Sequence, residues 1–560
     1  MKGYSVCNRK ITLKSGEIMV KEVDKKFEEL QNRIFDKIME RNPTWATALG
    51  IHEYDHVLPD ISKDKHLKDI ELIKGWRNEL ESIDISKLSK ENKLSRKLGI
   101  HLFDLLLFQM KELRGWEKNP SLPSVVGGGL FPLIKRDFAP LEERLKSIHG
   151  RIEEIPKLVE QEETKLKDPV KLWIEMAIES TEQLPMLMKL VLMIAHKIDL
   201  DEQELAKLSK SIDEADEAMK EYIELLEEKK RESVQEFAIG HEKFEKLIEK
   251  RELGYNSDEI LDIGETLLKE SKEKMKEYAN QIDEDADVDE VVERIMSQTP
   301  DSFEDALELY RQGLKDAKEF VIENDLATIP ENEEIDVTET PEYLRPIIPY
   351  AAYMPPAKFD DVMKGIYIVT PPNNEEALTN YSYWDVRNTT VHEGYPGHHL
   401  QNAAAMTNDD VFHLFSRAIE TIEGWAHYCE EMMKDHGFDD TPEARLIQTK
   451  DVVWRAARIV VDVNLSRGDM TFDEAVEFLV DHAGLKEKDA LAEVKRYTQN
   501  PAYQLSYLLG KEMLKDLKKD VKSKMGGDYT EKFFHDTILY AGSVPMKYLR
   551  EMFENKIKTS

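Results

Sequence analysis

From about residue 20 to 325, apolar residues recur at spacings of three and four, as in "FEELQNRIFDKIMERN" and "LWIEMAIESTEQLPMLMKLVLMIAHKI". This spacing predicts amphipathic helices, punctuated by loops such as "NPSLPSVVGGGLFP". The stretch 200 to 290, rich in Glu and Lys with Leu and Ile at threes and fours, reads as solvated helices without chemistry. Between 326 and 380 the text turns to Pro and β-branched residues, which predicts extended segments and a small β element around 330–372. Helical periodicity returns after 382 and runs to the end. Asn500-Pro501 predicts a helix start there, and Thr471 with Glu474 a capping box. The expected fold is mainly α. No fixed-period repeat or Gly/Ser linker marks a domain cut. The expected organisation is a loose arm over 1–18, a helical half over 19–325 and a second half over 326–560, together one interdependent unit.

Charge narrows the partners. The 560 residues carry 78 Lys and Arg against 112 Asp and Glu, a formal charge of −34, which repels nucleic acid and anionic membrane surfaces. The two cysteines, Cys7 and Cys429, offer neither a disulfide framework nor a cysteine metal knuckle. The N-terminal text lacks an apolar signal-peptide core, and no run approaches the length of a membrane span. The expected location is cytoplasmic. Oligomeric state leaves no sequence signal.

The chemistry gathers in "TTVHEGYPGHHLQN", residues 389 to 402. In a zinc-peptidase helix written H-E-x-x-H, the two imidazoles share a face and the adjacent glutamate holds the attacking water. Here His392-Glu393 is intact, but the next histidines, His398 and His399, follow six and seven positions on. On an unbroken helix His398 would be turned roughly 120° away from His392 and His399 would lie about 10 Å further along, so neither would close a site. Pro396 removes a helical hydrogen bond and Gly397 permits an unusual backbone, so a bulge there returns His398 to His392. The competing reading is a histidine-rich helix break that only packs.

A third ligand is available in "DDVFHLFSRAIETIEGWAHYCEEMMKDHG", which reads as one helix starting after Asp409-Asp410 and stopped by Gly437. Val411, Phe415, Ala418, Ile422, Trp425, Cys429 and Met432 form its apolar stripe. The adjacent stripe holds Glu423 and Glu430 among apolar residues, and a buried carboxylate needs a cation, a metal or a proton. Glu423 reads as a metal ligand. Glu430 reads equally as an outer partner of the site or as the partner of an arginine. His413, Glu420 and His427 fall on the opposite side and read as surface. Two histidines and a glutamate around an open position is the zinc-hydrolase arrangement, in which the ion lowers the pKa of its water to about 7 and polarises a carbonyl. Glu393 would be the general base.

These residues resemble the domain of unknown function 885 family, whose members share an H-E-x-x-P-G-H helix followed by E-G-W-A-x-Y. The chain has "HEGYPGH" at 392–398 and "EGWAHY" at 423–428, and is similar again in "RAARIVVD" at 455–462, "KRYTQNPAYQLSYLLG" at 495–510 and "FHDTILYAGSVPMKYL" at 534–549. A weaker likeness lies in "NPTWATALGIHEYD". The resemblance implies a large helical, zinc-peptidase-like fold with a deep central cleft or channel, His392, His398 and Glu423 as ligands and Glu393 as base. It favours His398 over His399. Where the family tends to have D-x-G-x-H, this chain has "DVNLS", with Ser466 in the place of a histidine.

Tyr497 and Tyr507 are candidate donors to the oxyanion of a tetrahedral intermediate, and Arg496 a candidate clamp for a substrate carboxylate. The expected function is a zinc-dependent metallopeptidase acting on short peptides, with Co, Mn or Ni as other ions the donor set accepts. The alternatives are a non-catalytic helical protein that binds peptides or a partner, and a metal hydrolase of a non-peptide amide or ester.

Overall fold

The computed structural model describes residues 15–198, 200–340, 345, 351–372 and 381–558, with backbone alone for 15–21. Cys7 and most of the expected arm lie outside these residues. The chain is mainly α with one small sheet. No described helix is long and apolar enough to cross a membrane.

The three-stranded sheet falls where Pro and β-branched residues replace the helical pattern: β1 (Glu333–Glu339), β2 (Ala351–Met354) and β3 (Met363–Val369). Its order is β1-β3-β2, with β3 parallel to β1 and antiparallel to β2. Both faces are covered. Val337, Tyr367 and Val369 join one apolar cluster, while Met354 and Ile368 join another built from helices between residues 122 and 226.

The largest cluster draws Phe27, Leu98 and Phe103 together with Trp425, Leu514 and Phe553, so burial of apolar surface joins the first helices to the last. A further cluster packs the helix Ser257–Ile282 on Pro442–Arg467, where Gly264 faces Ile459 with no room for a Cβ. The charged stretch 200 to 290 thus turns an apolar stripe inward, as its spacing predicts. The capping box at Thr471 and Glu474 is formed, each side chain meeting the other's backbone.

Two helix expectations are corrected. The segment after Asp410 is two helices, Val411–Phe415 and Ile419–Asp435, separated at Ser416 and Ala418, whose backbone is extended. The break is held from outside: Ala418 N–H donates to the Ser543 carbonyl at 2.9 Å, and Arg417 bridges Ser543. Asn500-Pro501 starts no helix. Asn500 ends the helix Glu487–Gln499, and the next, Ser506–Met525, begins only after a turn.

Candidate metal centre

The helix Tyr383–Glu393 ends at Gly394, and a second, His398–Met406, begins after the cis Tyr395-Pro396 bond. The histidines are therefore carried on two helices, where the sequence suggested a bulge within one. Gly397 allows the close turn, because a Cβ there would lie 1.9 Å from the His392 carbonyl oxygen. Trp425 fixes it, donating from Nε1 to the Pro396 carbonyl at 2.8 Å. The two motifs thus meet physically, the tryptophan of "EGWAHY" holding the break of "HEGYPGH".

This places His392, His398 and Glu423 so that one ligand atom of each lies within 4.8 Å of the others. The imidazole rings stand at 90° with centroids 4.9 Å apart. His398 Nε2 is 3.4 Å from Glu423 Oε2, close to the spacing of about 3.3 Å between neighbouring ligand atoms around tetrahedral zinc.

Each candidate ligand is oriented from behind. His392 Nδ1 lies 2.7 Å from Glu430 Oε1, and because a carboxylate only accepts, Nδ1 carries the proton and Nε2 is free to coordinate. Gln401 does the same for His398. Its Nε2 donates to the Thr421 carbonyl at 2.9 Å, which turns Oε1 toward His398 Nδ1 at 3.4 Å. Glu423 Oε1 accepts from the Tyr503 hydroxyl at 2.8 Å. Behind Glu430, Asn388 donates to its Oε2 at 3.2 Å and accepts from Lys434 at 3.0 Å.

Electrostatics tie the cluster together. Burial pushes the His398 imidazole down, but Glu423 and Glu393 outweigh it and hold it up at about 9. Burial raises the Glu423 carboxyl, yet His398, His392 and the Tyr503 hydroxyl bring it to about 2. A cationic imidazole beside an anionic carboxylate is a proton standing between two ligand atoms, a place a divalent ion can take. Two imidazoles and one carboxylate, each with its other polar atom anchored, fit zinc. Glu393, next to His392, is half-buried and makes no hydrogen bond or ion pair among the described residues.

His399 is set apart from this cluster. It is buried against the sheet, where its Nε2 meets Glu333 at 2.5 Å and its Nδ1 the Tyr353 hydroxyl at 3.1 Å. Glu333 also accepts from Tyr395 at 2.6 Å and from Lys318. Gly365 of β3 admits the ring, since a Cβ there would lie 2.6 Å from His399 Nδ1.

Among the tyrosines, Tyr503 touches a candidate ligand. Tyr507 packs near it, its ring tilted by 59° with centroids 6.2 Å apart, and lies close enough to Glu423 for that charge to raise its hydroxyl pKa further, after burial. Tyr497 is engaged elsewhere: its hydroxyl accepts from Arg458 at 2.8 Å and donates to Glu493 at 2.7 Å. Arg496 also spends its guanidinium on Glu493, at 2.7 Å. Ser466 lies in a separate buried contact, donating to Asp462 at 3.1 Å. Asp462 accepts from the backbone of Ala502 and Leu505 at 2.8 and 3.0 Å, and so holds the turn that carries Tyr503.

The residues read as surface are corrected: His413, Glu420 and His427 are all buried. His413 bonds the Ala541 carbonyl at 2.6 Å, and Glu420 pairs with Arg251 at 2.7 Å. His427 lies 3.3 Å from Glu430 with no hydrogen bond of good geometry at either nitrogen among the described residues, and burial lowers its pKa to about 4. A helix wrapped on all sides has no solvent face for the periodicity to mark. Tyr503 was legible only as one more tyrosine in a motif, because the turn that aims it carries no periodic signal.

Two solved structures share the fold. One, described as "a putative lipoprotein of unknown function from Shewanella oneidensis", superposes with a TM-score of 0.77 at 22% identity, over 94% of this chain and 99% of its own. The other, described as "the putative lipoprotein from Colwellia psychrerythraea", gives 0.80 at 19% identity over 96% and 100%. No curated protein matches the chain. The family model for "Bacterial protein of unknown function (DUF885)" matches residues 43–552, and the chain belongs to that family.

Proposed function

We propose that the protein is a zinc-dependent metallopeptidase that hydrolyses short peptides. The reading rests on one observation: His392, His398 and Glu423 converge within 4.8 Å, beside the carboxylate of Glu393, which has no hydrogen-bond or ion-pair partner among the described residues. A divalent ion held by these three would supply Lewis acidity to a carbonyl and acidify water. Glu393 takes a proton from the attacking water at its carboxylate and returns it to the leaving amine. Glu430 and Gln401 keep both imidazoles in the tautomer that offers Nε2. The Tyr503 hydroxyl, with Tyr507 behind it, is the donor best placed to meet developing negative charge.

Metal content of the purified protein by mass spectrometry, run beside His392→Ala, His398→Ala and Glu423→Ala, tests the reading. The expected result is about one zinc per wild-type chain and little in each variant, with cleavage of a peptide panel lost in Glu393→Gln. Folded protein that takes up no zinc when zinc is supplied would remove the reading, and peptide binding without hydrolysis would take its place.

A further inference from the structure

A cavity of about 830 Å³ lies between the first helices and the segments 415–420 and 498–503, and it shares with the candidate metal centre Tyr503, whose hydroxyl donates to Glu423 at 2.8 Å. Its walls are aromatic: four of the chain's seven tryptophans, Trp45, Trp76, Trp116 and Trp173, line it. Its charge runs against that of the molecule. The chain has 34 more acidic than basic residues, yet six lysines and arginines line this cavity against three carboxylates. Two of the carboxylates are committed. Glu420 is paired with Arg251, which also donates to Ser506 and Ala502, and Asp69 is shared by Arg41 and Lys65. The third, Glu236, caps the backbone of Ala238 at 2.9 Å. Lys118, Lys243 and Arg417 therefore face the cavity without an ion-pair partner among the described residues. His66 and His101 add no positive charge at neutral pH, since burial lowers both.

Arg417 stands out for its place. It sits in the extended break between two helices, its backbone fixed to Ser543 and its side chain exposed. It precedes Glu423 by six residues, two in the extended break and four in the helix, a separation of at most roughly 13 Å, which an extended peptide spans in about four residues. Cations left unpaired in a concave, aromatic-walled site attract an anion, and a guanidinium receives a carboxylate bidentately.

We propose that this cavity binds the peptide substrate as an anion, with Arg417 receiving a carboxylate of the substrate within about four residues of the bond that lies beside Glu423. The proposal names the substrate class for the metallopeptidase reading and rests on it for what happens to the bound peptide, whereas the binding itself does not depend on it. The carboxylate comes either from the peptide's C-terminus or from an acidic side chain, and the two have the same chemistry at Arg417.

The test is peptide binding to full-length Glu393→Gln, followed by intrinsic tryptophan fluorescence. The probes are Ala-Ala-Glu-Glu as free acid and as amide, Ala-Ala-Gln-Gln as free acid and as amide, and Ala-Ala-Lys-Lys amide. The expected result is that the Glu free acid binds at least about tenfold tighter than the Gln and Lys amides, with an affinity that falls as salt is added. Adding Arg417→Ala should remove about tenfold of that affinity and Arg417→Lys less, with unchanged circular dichroism, because the side chain has no ion-pair partner to lose among the described residues. The Gln free acid and the Glu amide then show which carboxylate is read. Equal affinity for all five peptides, tighter binding of the lysine peptide, no binding at all, or an Arg417→Ala variant that binds as before would each overturn the proposal. Anion-selective binding in a wild type that cleaves nothing would leave it standing and remove the peptidase reading; cleavage without anion preference would do the reverse.

Discussion

Glu430 Oε1 holds the Nδ1 proton of His392 at 2.7 Å, two helical turns beyond Glu423 on the same helix. Glu430 is fully buried, and burial raises its pKa, but His427, His392 and Arg455 more than offset this and keep it well below the usual carboxylate range. It therefore faces His392 as an anion. Glu430→Gln keeps the shape and removes the charge, so zinc affinity should fall by about 10- to 100-fold while the fold persists. Competition titration against a chromophoric chelator, beside far-ultraviolet circular dichroism, measures both. Unchanged affinity would mean that the contact does not tune the ligand.

The tyrosines divide by their partners. Tyr503→Phe removes a hydroxyl that touches Glu423, and it should lower kcat by about 100-fold with a smaller change in KM. Tyr497→Phe removes a hydroxyl already held between Arg458 and Glu493, so kcat should stay within about threefold while stability falls by about 1 kcal/mol. Steady-state kinetics on one cleaved peptide and thermal melts of both variants separate these roles. Equal loss of kcat in the two would return Tyr497 to the mechanism.

Much of this was legible in the sequence, and the failures share a cause. The sheet appeared where Pro and β-branched residues replaced the helical period, and Glu423 and Glu430 were conspicuous as carboxylates in an apolar stripe. The break at Ser416–Ala418 was hidden because apolar spacing continues across it, while the pairing that opens it comes from Ser543, more than a hundred residues away. Glu420 looked like surface for the same reason. Its partner, Arg251, arrives from the other half of the chain. The turn that aims Tyr503 is set by Asp462 accepting two backbone N–H groups, an arrangement without a local signature.

The glutamate helix depends on a glycine contact that the motif spells out only in part. Gly424 and Gly510 let the helices Ile419–Asp435 and Ser506–Met525 cross closely: a Cβ on Gly510 would lie 2.1 Å from the Glu420 carbonyl oxygen, and one on Gly424 2.5 Å from the Gly510 carbonyl carbon. Backbone on backbone cannot give way as a flexible side chain can. Gly510→Ala should therefore cost about 2–3 kcal/mol or more and lower the melting temperature, because the helices must separate. It should also weaken zinc binding, since Glu423 and Tyr503 belong to the two sides of that crossing. An alanine variant that melts with the wild type would show that the crossing relaxes at no cost.

The ion pair between His398 and Glu423 makes metal affinity depend on pH in a defined sense. The His398 pKa stands at about 9 in the folded chain against an ordinary value of 6.5, so its contribution to stability is fully present below about pH 6.5 and is lost as pH rises through 9. The Glu423 pKa stands at about 2 against 4.5, so its contribution is present above about pH 4.5 and is lost as pH falls through 2. The metal-free protein should draw most stability from this pair between those limits, at about pH 4.5 to 6.5. A metal needs the neutral imidazole, so binding at pH 7 must expel the His398 proton. Zinc affinity should accordingly rise about tenfold per pH unit from 7 toward 9 and then level off, with about one proton released per ion at pH 7. Competition titrations across this range, with proton release followed by an indicator in weak buffer, read both quantities. In His398→Ala the proton release should vanish with the binding. An affinity flat between pH 7 and 9 would show that the imidazole is already neutral at pH 7 and that Glu423 does not hold the proton there.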